Sequence, residues 1–451
     1  MDLMNPPPMG TDLWSSLPPS WQEQALGLAV EHTIGVFDGV AGAAGPWWPA
    51  RPVVLREAFY RELGELADRL GELVLRTCMR RARTAGELQD VLGLPDSEVP
   101  MLRRDEPLGE HLLAASRPDV VLASGRPKFL EVNIEGAVGG TAQADLVSRR
   151  FLDLYEQELP IQGFAAPPSA VDARFAQIRA RFDHDPTVAI PLYQYGILAG
   201  ATNEDERIDR HRPMVESARR QGITAFPCPW RDLHNDAEYR LFAGDRQVDA
   251  VLRLFVTSSE PSCDGLTAVI ESARRGTVHL HTSEATWLLS NKTVLAWLWT
   301  DIDELPPADR QFVHEHVPFT VMASPEHEQI VSEAAAEQTQ WVLKPVHGHG
   351  GAGILLGHAQ SAEVWRAALK AAMDTKDHVL QRLVRADQLE MTFLDDRTRR
   401  LHTQPVPFVL GPLMFDRKIS NVFVRHSAPD GGLIVNAQQG SAVNSVLLTP
   451  S

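Results

Sequence analysis

A mixed α/β architecture is the expectation, and three features of the sequence carry it. An early stretch repeats apolar residues at helical spacing. The middle alternates short apolar runs with helical segments. The last eighty residues or so are strand-rich.

Behind a proline-rich opening, the segment from about Val53 to Leu92 contains LREAFYRELGELADRLGELVLRTCMRRARTAGELQDVL. Its apolar residues recur three and four apart among good helix formers, which predicts a helical N-terminal unit. GLPDSEVP reads as a turn before another helix. VVLASGRPKFLEVN predicts a β-hairpin with its turn near Ser124-Gly125-Arg126, and TAQADLVSRRFLDLYEQEL a helix beyond the glycines that follow. Composition changes near Gly163–Pro168. PTVAIPL, ITAFPCPW and VDAVLRLFV then read as strands between the helices RIDRHRPMVESARRQG and GLTAVIESARRG, an alternation that predicts a parallel sheet. From Trp287 the order is helix (NKTVLAWLW, with Ser290 a candidate N-cap), strand (WVLKPV) and helix (SAEVWRAALKAAM). Turns are expected at Asp395-Asp396 and Asp430-Gly431-Gly432. These shifts divide the chain into 1–165, 166–285 and 286–451.

The 451 residues, 44% hydrophobic and 23% charged, suit a soluble globular protein of two or three domains. A net charge of −16 argues against a general nucleic-acid or anionic-membrane partner but allows a local basic pocket. Cys78, Cys228 and Cys263 lie far apart, and their odd number favours free thiols in a reducing compartment. No eighteen-residue apolar run occurs, and MDLMNPPPMGTD has no signal-peptide pattern, so a cytoplasmic location is expected. Oligomeric state is left open.

Two fragments carry chemistry. In FLEVNIEGAVGG, Glu131 and Asn133 are two positions apart and share one face of a strand. A carboxylate and a carboxamide oxygen suit Mg²⁺. Strict alternation puts Phe129 on the same face, and a solvated strand edge gives the same polar pattern. In WVLKPVHGHGGAGILLG, Lys344 precedes a loop with Gly348, Gly350, Gly351 and Gly353. Unobstructed amides cradle phosphate oxygens, and a lysine balances their charge. The order is neither GxxxxGK[ST] nor GxGxxG; strand, glycine loop and strand read as a phosphate-covering hairpin or as an ordinary mobile turn. His347 and His349 have no third ligand nearby in sequence, a weak zinc pattern, and contact with substrate or phosphate is the other reading.

In order, ASRPDVV, FLEVN, SNKTVLAWLW, WVLKPVHGHGGAGI and HVLQRLV resemble the circularly permuted ATP-grasp carboxylate–amine ligases, especially the synthetase domain of glutathionylspermidine synthases. The resemblance runs from Leu102 to Gln439. It implies a circularly permuted ATP-grasp-like fold, a helical N-terminal unit, a central parallel-sheet substrate domain, and an early metal hairpin folded against the late glycine loop. It implies Mg²⁺ coordination by Asp119, Glu131 and Asn133, with Arg117 near the transferring phosphoryl group. ATP would be held by Lys292, Lys344, His347, Gly348, Gly350 and Gly351, with Gln381, Arg382, Leu383 and Val384 near adenine. The implied reaction joins a carboxylate, an amino acid or small peptide, to an amine through an acylphosphate, releasing ADP and phosphate. IEGAVGGT replaces the family's Ala-Asp-Thr-Pro-like continuation, which leaves the acid and the amine undefined.

Arg253 in AVLRLF is a cation within an apolar run, either an anchor for the substrate acid or the partner of an internal carboxylate. Arg425, ending NVFV, is the favoured catalytic and substrate-binding cation of the late segment, ahead of Arg417, Lys418, Asn421, Asn436, Gln438 and Gln439. Glu135 and the run DQLEMTFLDD are further sources of a carboxylate. A small-molecule kinase and a non-catalytic nucleotide- or ligand-binding protein are the alternative functions.

Overall fold

A computed structural model describes residues 46–157, 163–193, 203–348, 350–429, 431, 434–435 and 440–449. His349, Asn436, Gln438, Gln439 and most of the turn expected at 430–432 lie outside the described residues.

The early helical segment begins as a strand. Val53–Arg56 pairs in parallel with Val446–Thr449, because β-branched Val53 and Val54 fit a pleated surface better than a first helical turn. The helix proper is Glu57–Met79, which buries Leu63, Leu70, Leu73 and Val74 in the largest apolar core. A second helix, Ala85–Leu92, starts where the Thr84 side chain accepts the Glu87 amide at 3.3 Å. GLPDSEVP leads through turns to a short 3₁₀ segment, Glu110–Leu113, and not to the α-helix expected there.

The largest sheet runs Trp47–Pro49, Gln388–Asp395, Arg400–Phe415, Lys418–His426, Ala442–Asn444. The predicted hairpin, Ala115–Ala123 and Arg126–Ile134, joins it by antiparallel pairing with the second half of Arg400–Phe415. The central sheet is parallel, as expected, in the order His279–His281, Ala250–Leu252, Thr187–Pro191, Thr224–Cys228. A third, antiparallel sheet contains Thr320–Met322, His378–Arg382, Trp341–Pro345 and Leu355–Leu356. Its last two strands flank the glycine loop, so the strand–loop–strand reading matches the local structure. No helix among the described residues is long and apolar enough to cross a membrane.

Candidate functional site

The hairpin register sets Arg117 opposite Asn133 and Asp119 opposite Glu131, which gathers four polar residues on one face. Beyond that pair the register shifts, with Val120 opposite Phe129 and Leu130 left over as a bulge. The bulge corrects the strict alternation read from sequence: Phe129 turns into the core at 0% exposure, while Glu131 and Asn133 stay on the other face. It also frees the Leu130 carbonyl, which accepts Lys344 Nζ and Gln381 Nε2, both at 3.3 Å. The early hairpin therefore meets the late lysine strand directly.

Charge is concentrated here. Lys292 Nζ lies 3.4 Å from Glu131 Oε2. Asp119 Oδ1 lies 2.7 Å from Arg425 Nη2 and 3.4 Å from Arg117 Nη2. Burial alone would raise the Glu131 carboxyl, but Lys292, Lys344 and Arg425 outweigh it and hold the group well below the usual carboxylate range. Burial pushes Lys344 down to about 8, assisted by Lys292 and opposed by Glu131. Arg117 is lowered by burial against the pull of Asp119.

The arrangement leaves polar atoms unsatisfied. Arg117 Nε, Arg425 Nε and Glu135 Oε2 are buried without a hydrogen-bond partner, while Asp119 Oδ1 and Arg425 Nη2 meet as an ion pair without hydrogen-bond alignment. Such atoms fit a polar ligand better than a closed core. Asp119, Glu131 and Asn133 form a sparse oxygen set, which suits Mg²⁺ because that ion keeps several positions for water and substrate phosphates. Among the described residues, no group of three or more His, Cys, Asp or Glu side chains could hold a metal by itself. Asp119 is already engaged by two arginines, and Asn133 Nδ2 donates to the Arg117 carbonyl at 3.1 Å.

The glycines after EVN answer to close packing. A Cβ on Gly136 would come within 2.7–2.8 Å of Arg253 O, His281 O and Thr282 N, and one on Gly140, at φ +94°, would overlap the Phe423 ring. Arg117 Nη1 donates to Gly139 O at 2.8 Å, so the loop folds back over the hairpin. Buried Arg174, which no sequence motif marked, donates to Gly136 O at 3.3 Å. Glu135, named from sequence only as an alternative acid, lies in this loop, its carboxyl raised by burial against Arg253 and Arg117.

Other expected residues fall differently. Ser290 is not a helix cap: its Oγ accepts the Ile134 amide at 2.7 Å and ties the Lys292 segment to the hairpin. Lys292 itself precedes the helix Thr293–Thr300, and Asn291 Nδ2 lies 3.0 Å from His347 Nε2. Glu131, Asn133, Trp287, Lys292, His347 and Gly348 line a cleft of ≈ 20 Å³. The Gln381 side chain is turned inward, with Lys344 Nζ donating to its Oε1 at 2.7 Å. The amides of Arg382 and Leu383 already donate to Phe319 O and Gln340 O, each at 2.8 Å, because the strand pairing continues through them. Arg253 donates from Nε to Thr282 O at 2.9 Å and from Nη2 to Thr286 Oγ1 at 3.3 Å, so much of its hydrogen bonding is internal. Arg417 leaves the site altogether for Asp68 and Glu72, and Asn421 joins a buried network with Asp145 and Ser148. In DQLEMTFLDD, Asp387 accepts the Ser124 and Gly125 amides at the far hairpin turn, at 2.9 and 2.7 Å, and Asp395 pairs with Arg397.

A much larger cavity, ≈ 590 Å³, lies elsewhere, beside the edge strand His279–His281. The candidate site is nevertheless the hairpin face, because mutually perturbed buried charges mark chemistry more directly than room does.

No protein-family model and no curated protein matches the chain. Solved structures do. A glutathione synthetase-like effector from Globodera pallida, in its apo form, superposes with a TM-score of 0.60 over 96% of this chain and 98% of that one, at 13% identity. A Methylobacillus flagellatus protein provisionally assigned as a gamma-glutamylcysteine synthetase gives a TM-score of 0.44 over 74% of this chain and 80% of that one, at 12% identity. The first likeness shows a shared fold: mixed α/β, with an N-terminal helical region and central sheets.

Proposed function

We propose that the protein is an ATP-dependent carboxylate–amine ligase. The observation that carries this reading is the hairpin face, where Asp119, Glu131 and Asn133 meet Lys292, Lys344, Arg117 and Arg425, with buried polar atoms left unmatched. The fold shared with a glutathione synthetase-like protein supports the same chemistry.

In this reading, Lys292 and Lys344 hold the phosphates of ATP, and the amides of the 347–353 loop close over them. Glu131 and Asn133, with Asp119, would hold Mg²⁺, which supplies charge neutralisation at the phosphates. The substrate carboxylate attacks the γ-phosphorus. A new O–P bond forms as the bond to ADP breaks, giving an acylphosphate. Arg117 and Arg425 face the oxygen atoms on which charge accumulates. The amine then attacks the acyl carbon, phosphate leaves, and an amide results. Closure of the glycine loop keeps water from the acylphosphate. An amino acid or small peptide is the acid this reading favours, and the protein acts without nucleic-acid or membrane partners.

The test is incubation with ATP, Mg²⁺ and a matrix of amino acids, short peptides and amines, with products resolved by mass spectrometry. ADP, phosphate and an amide are expected together. AMP and pyrophosphate would replace this mechanism with adenylation, and a phosphorylated hydroxyl would replace it with a kinase.

A further inference from the structure

The strand His279–His281 is the edge of the central sheet. It pairs with Ala250–Leu252 on one side, and beside it lies the ≈ 590 Å³ cavity. That volume is within the range of small-molecule sites, roughly 300–1,000 Å³. The cavity shares no lining residue with the group formed by Arg117, Glu131, Asn133, Lys292 and Lys344.

Its wall contains buried polar atoms that make no hydrogen bond: His281 Nε2, Ser283 Oγ and Gln177 Oε1. His281 and Gln177 are only 3% and 4% exposed, so leaving them unmatched is costly without a ligand or water. Burial, aided by neighbouring arginines, drives both His279 and His281 down, to about 4 for His279. Both rings are therefore neutral near pH 7, and the strand contributes hydrogen bonding without charge.

Formal charge comes from the rest of the wall. Arg103 and Arg181 supply cations, and Glu106, Asp249 and Glu284 supply carboxylates. The carboxylates have partners: Glu106 with His111 at 3.1 Å, Asp249 with the Thr187 amide at 2.8 Å, and Glu284 with the Met101 amide at 2.5 Å. The Arg181 guanidinium makes no hydrogen bond or ion pair among the described residues. A compact dianion such as phosphate would face three carboxylates, and a simple cation would face two arginines. A molecule with one charge of each sign matches both sets.

We propose that this cavity is a second ligand site, for a small zwitterion of the amino-acid or dipeptide class. The ligand carboxylate pairs with Arg181. Its ammonium group turns toward the carboxylate wall, where Gln177 Oε1 accepts a hydrogen bond. This assignment is independent of ATP chemistry at the hairpin.

Calorimetric titration of the full chain with the free L-amino acids and a set of dipeptides tests it. At least one should bind saturably at a single site. Its N-acetyl and its carboxamide derivatives should each bind about tenfold more weakly or worse, since each removes a charge-assisted contact. Arg181→Ala, at an exposed position that folding tolerates, should weaken binding by about the same factor, and Ser283→Ala should weaken it measurably. Lys344→Met should leave it intact. Absence of saturable binding by every zwitterion overturns the proposal. Binding unaffected by both cavity variants, or abolished by Lys344→Met, overturns it by placing the ligand elsewhere. Equal binding of the N-acetyl derivative overturns the zwitterion class.

Discussion

The hairpin face and the edge-strand cavity are both polar, yet they are built in opposite ways. At the hairpin, burial and the charges of Lys292, Lys344 and Arg425 set the protonation of Glu131, and burial with Lys292 that of Lys344, around a cleft of ≈ 20 Å³. At the edge strand, ≈ 590 Å³ is open, its histidines are neutral and its carboxylates already have partners. The first holds charge at high density, as stabilisation of a charged transition state requires. The second offers room and scattered hydrogen bonding, as recognition requires. Cavity size alone points to the edge strand, whereas charge density points to the hairpin.

The sharpest break between the two is Lys344→Met. It should lower ADP production by about 100- to 1,000-fold, the scale for losing a direct charge stabiliser in a closed site. The fold should survive, because the methionine stem replaces an amine whose burial is itself unfavourable. Arg181→Ala in the cavity should leave ADP production at the wild-type level. Initial-rate assays with a melting curve for each variant make the comparison. Equal losses in the two variants would erase the distinction between the regions.

Next in size is Glu131→Gln, which keeps the side-chain shape and removes one anionic oxygen donor. The Mg²⁺ concentration for half-maximal ATP binding should rise by about 10- to 100-fold. A Mg²⁺ titration at fixed ATP measures it. An unchanged midpoint would return the EVN segment to an ordinary polar strand face.

A pH profile follows from Lys344. Its folded value is depressed to about 8 from an ordinary 10.5, so in the free protein it loses its proton as pH rises through 8. kcat/KM for ATP should fall by about tenfold per unit above that point, and Lys344→Arg should move the fall to higher pH. Stability carries the opposite sign. The unfolded chain binds the extra proton between about 8 and 10.5, so this group's unfavourable contribution is full below 8 and fades across that window.

Much of the hairpin face was legible in sequence because its residues are close in the chain. Two-residue spacing put Glu131 beside Asn133, and the Arg117 and Asp119 pair lies just one strand away. The bulge was not legible. An extra residue such as Leu130 is specified by how the partner strand and the Lys344 strand pack, not by local alternation. The strand at Val53–Arg56 was missed for a related reason: its partner, Val446–Thr449, is almost four hundred residues away. The edge-strand cavity has no sequence signature, since Gln177 and Arg181, at the end of one helix, are far along the chain from His281 and Ser283, at the end of one strand.

Gly140 allows the loop after EVN to be tested without touching a charge. Gly140→Ala sets a methyl group against Phe423 at a φ of +94°. The backbone strain alone should cost on the order of 1–2 kcal/mol, displacement of the Phe423 ring adds to it, and turnover should fall as Gly139, whose carbonyl holds Arg117, moves. The cavity should keep its ligand. Denaturant unfolding and ADP release, measured in parallel, separate the two effects.

The smallest effect is expected at Arg417, and it sharpens the comparison from outside both regions. From sequence, Arg417 and Arg425 are similar cations on one late segment. In the structure Arg425 is 2% exposed and pairs with Asp119, whereas Arg417 sits at a tight turn with φ +63°. There it forms a two-point contact with Asp68, at 2.8 and 3.0 Å, and also reaches Glu72 on the same helix. Such partly exposed pairs contribute little, because water and salt screen them and ordering two long side chains opposes the gain. Arg417→Ala should therefore cost about 0–1 kcal/mol, lower Tm by about 2 °C at most, and lose even that difference in high salt. ATP affinity should not move. Arg425→Ala removes a cation that helps hold Glu131 ionised and takes from Asp119 the nearer of its two arginine partners, so it should weaken ATP binding and turnover together. If Arg417→Ala impaired ATP binding as much as Arg425→Ala, the charge at the hairpin would be acting through the whole late segment, and its assignment to the buried face would fail.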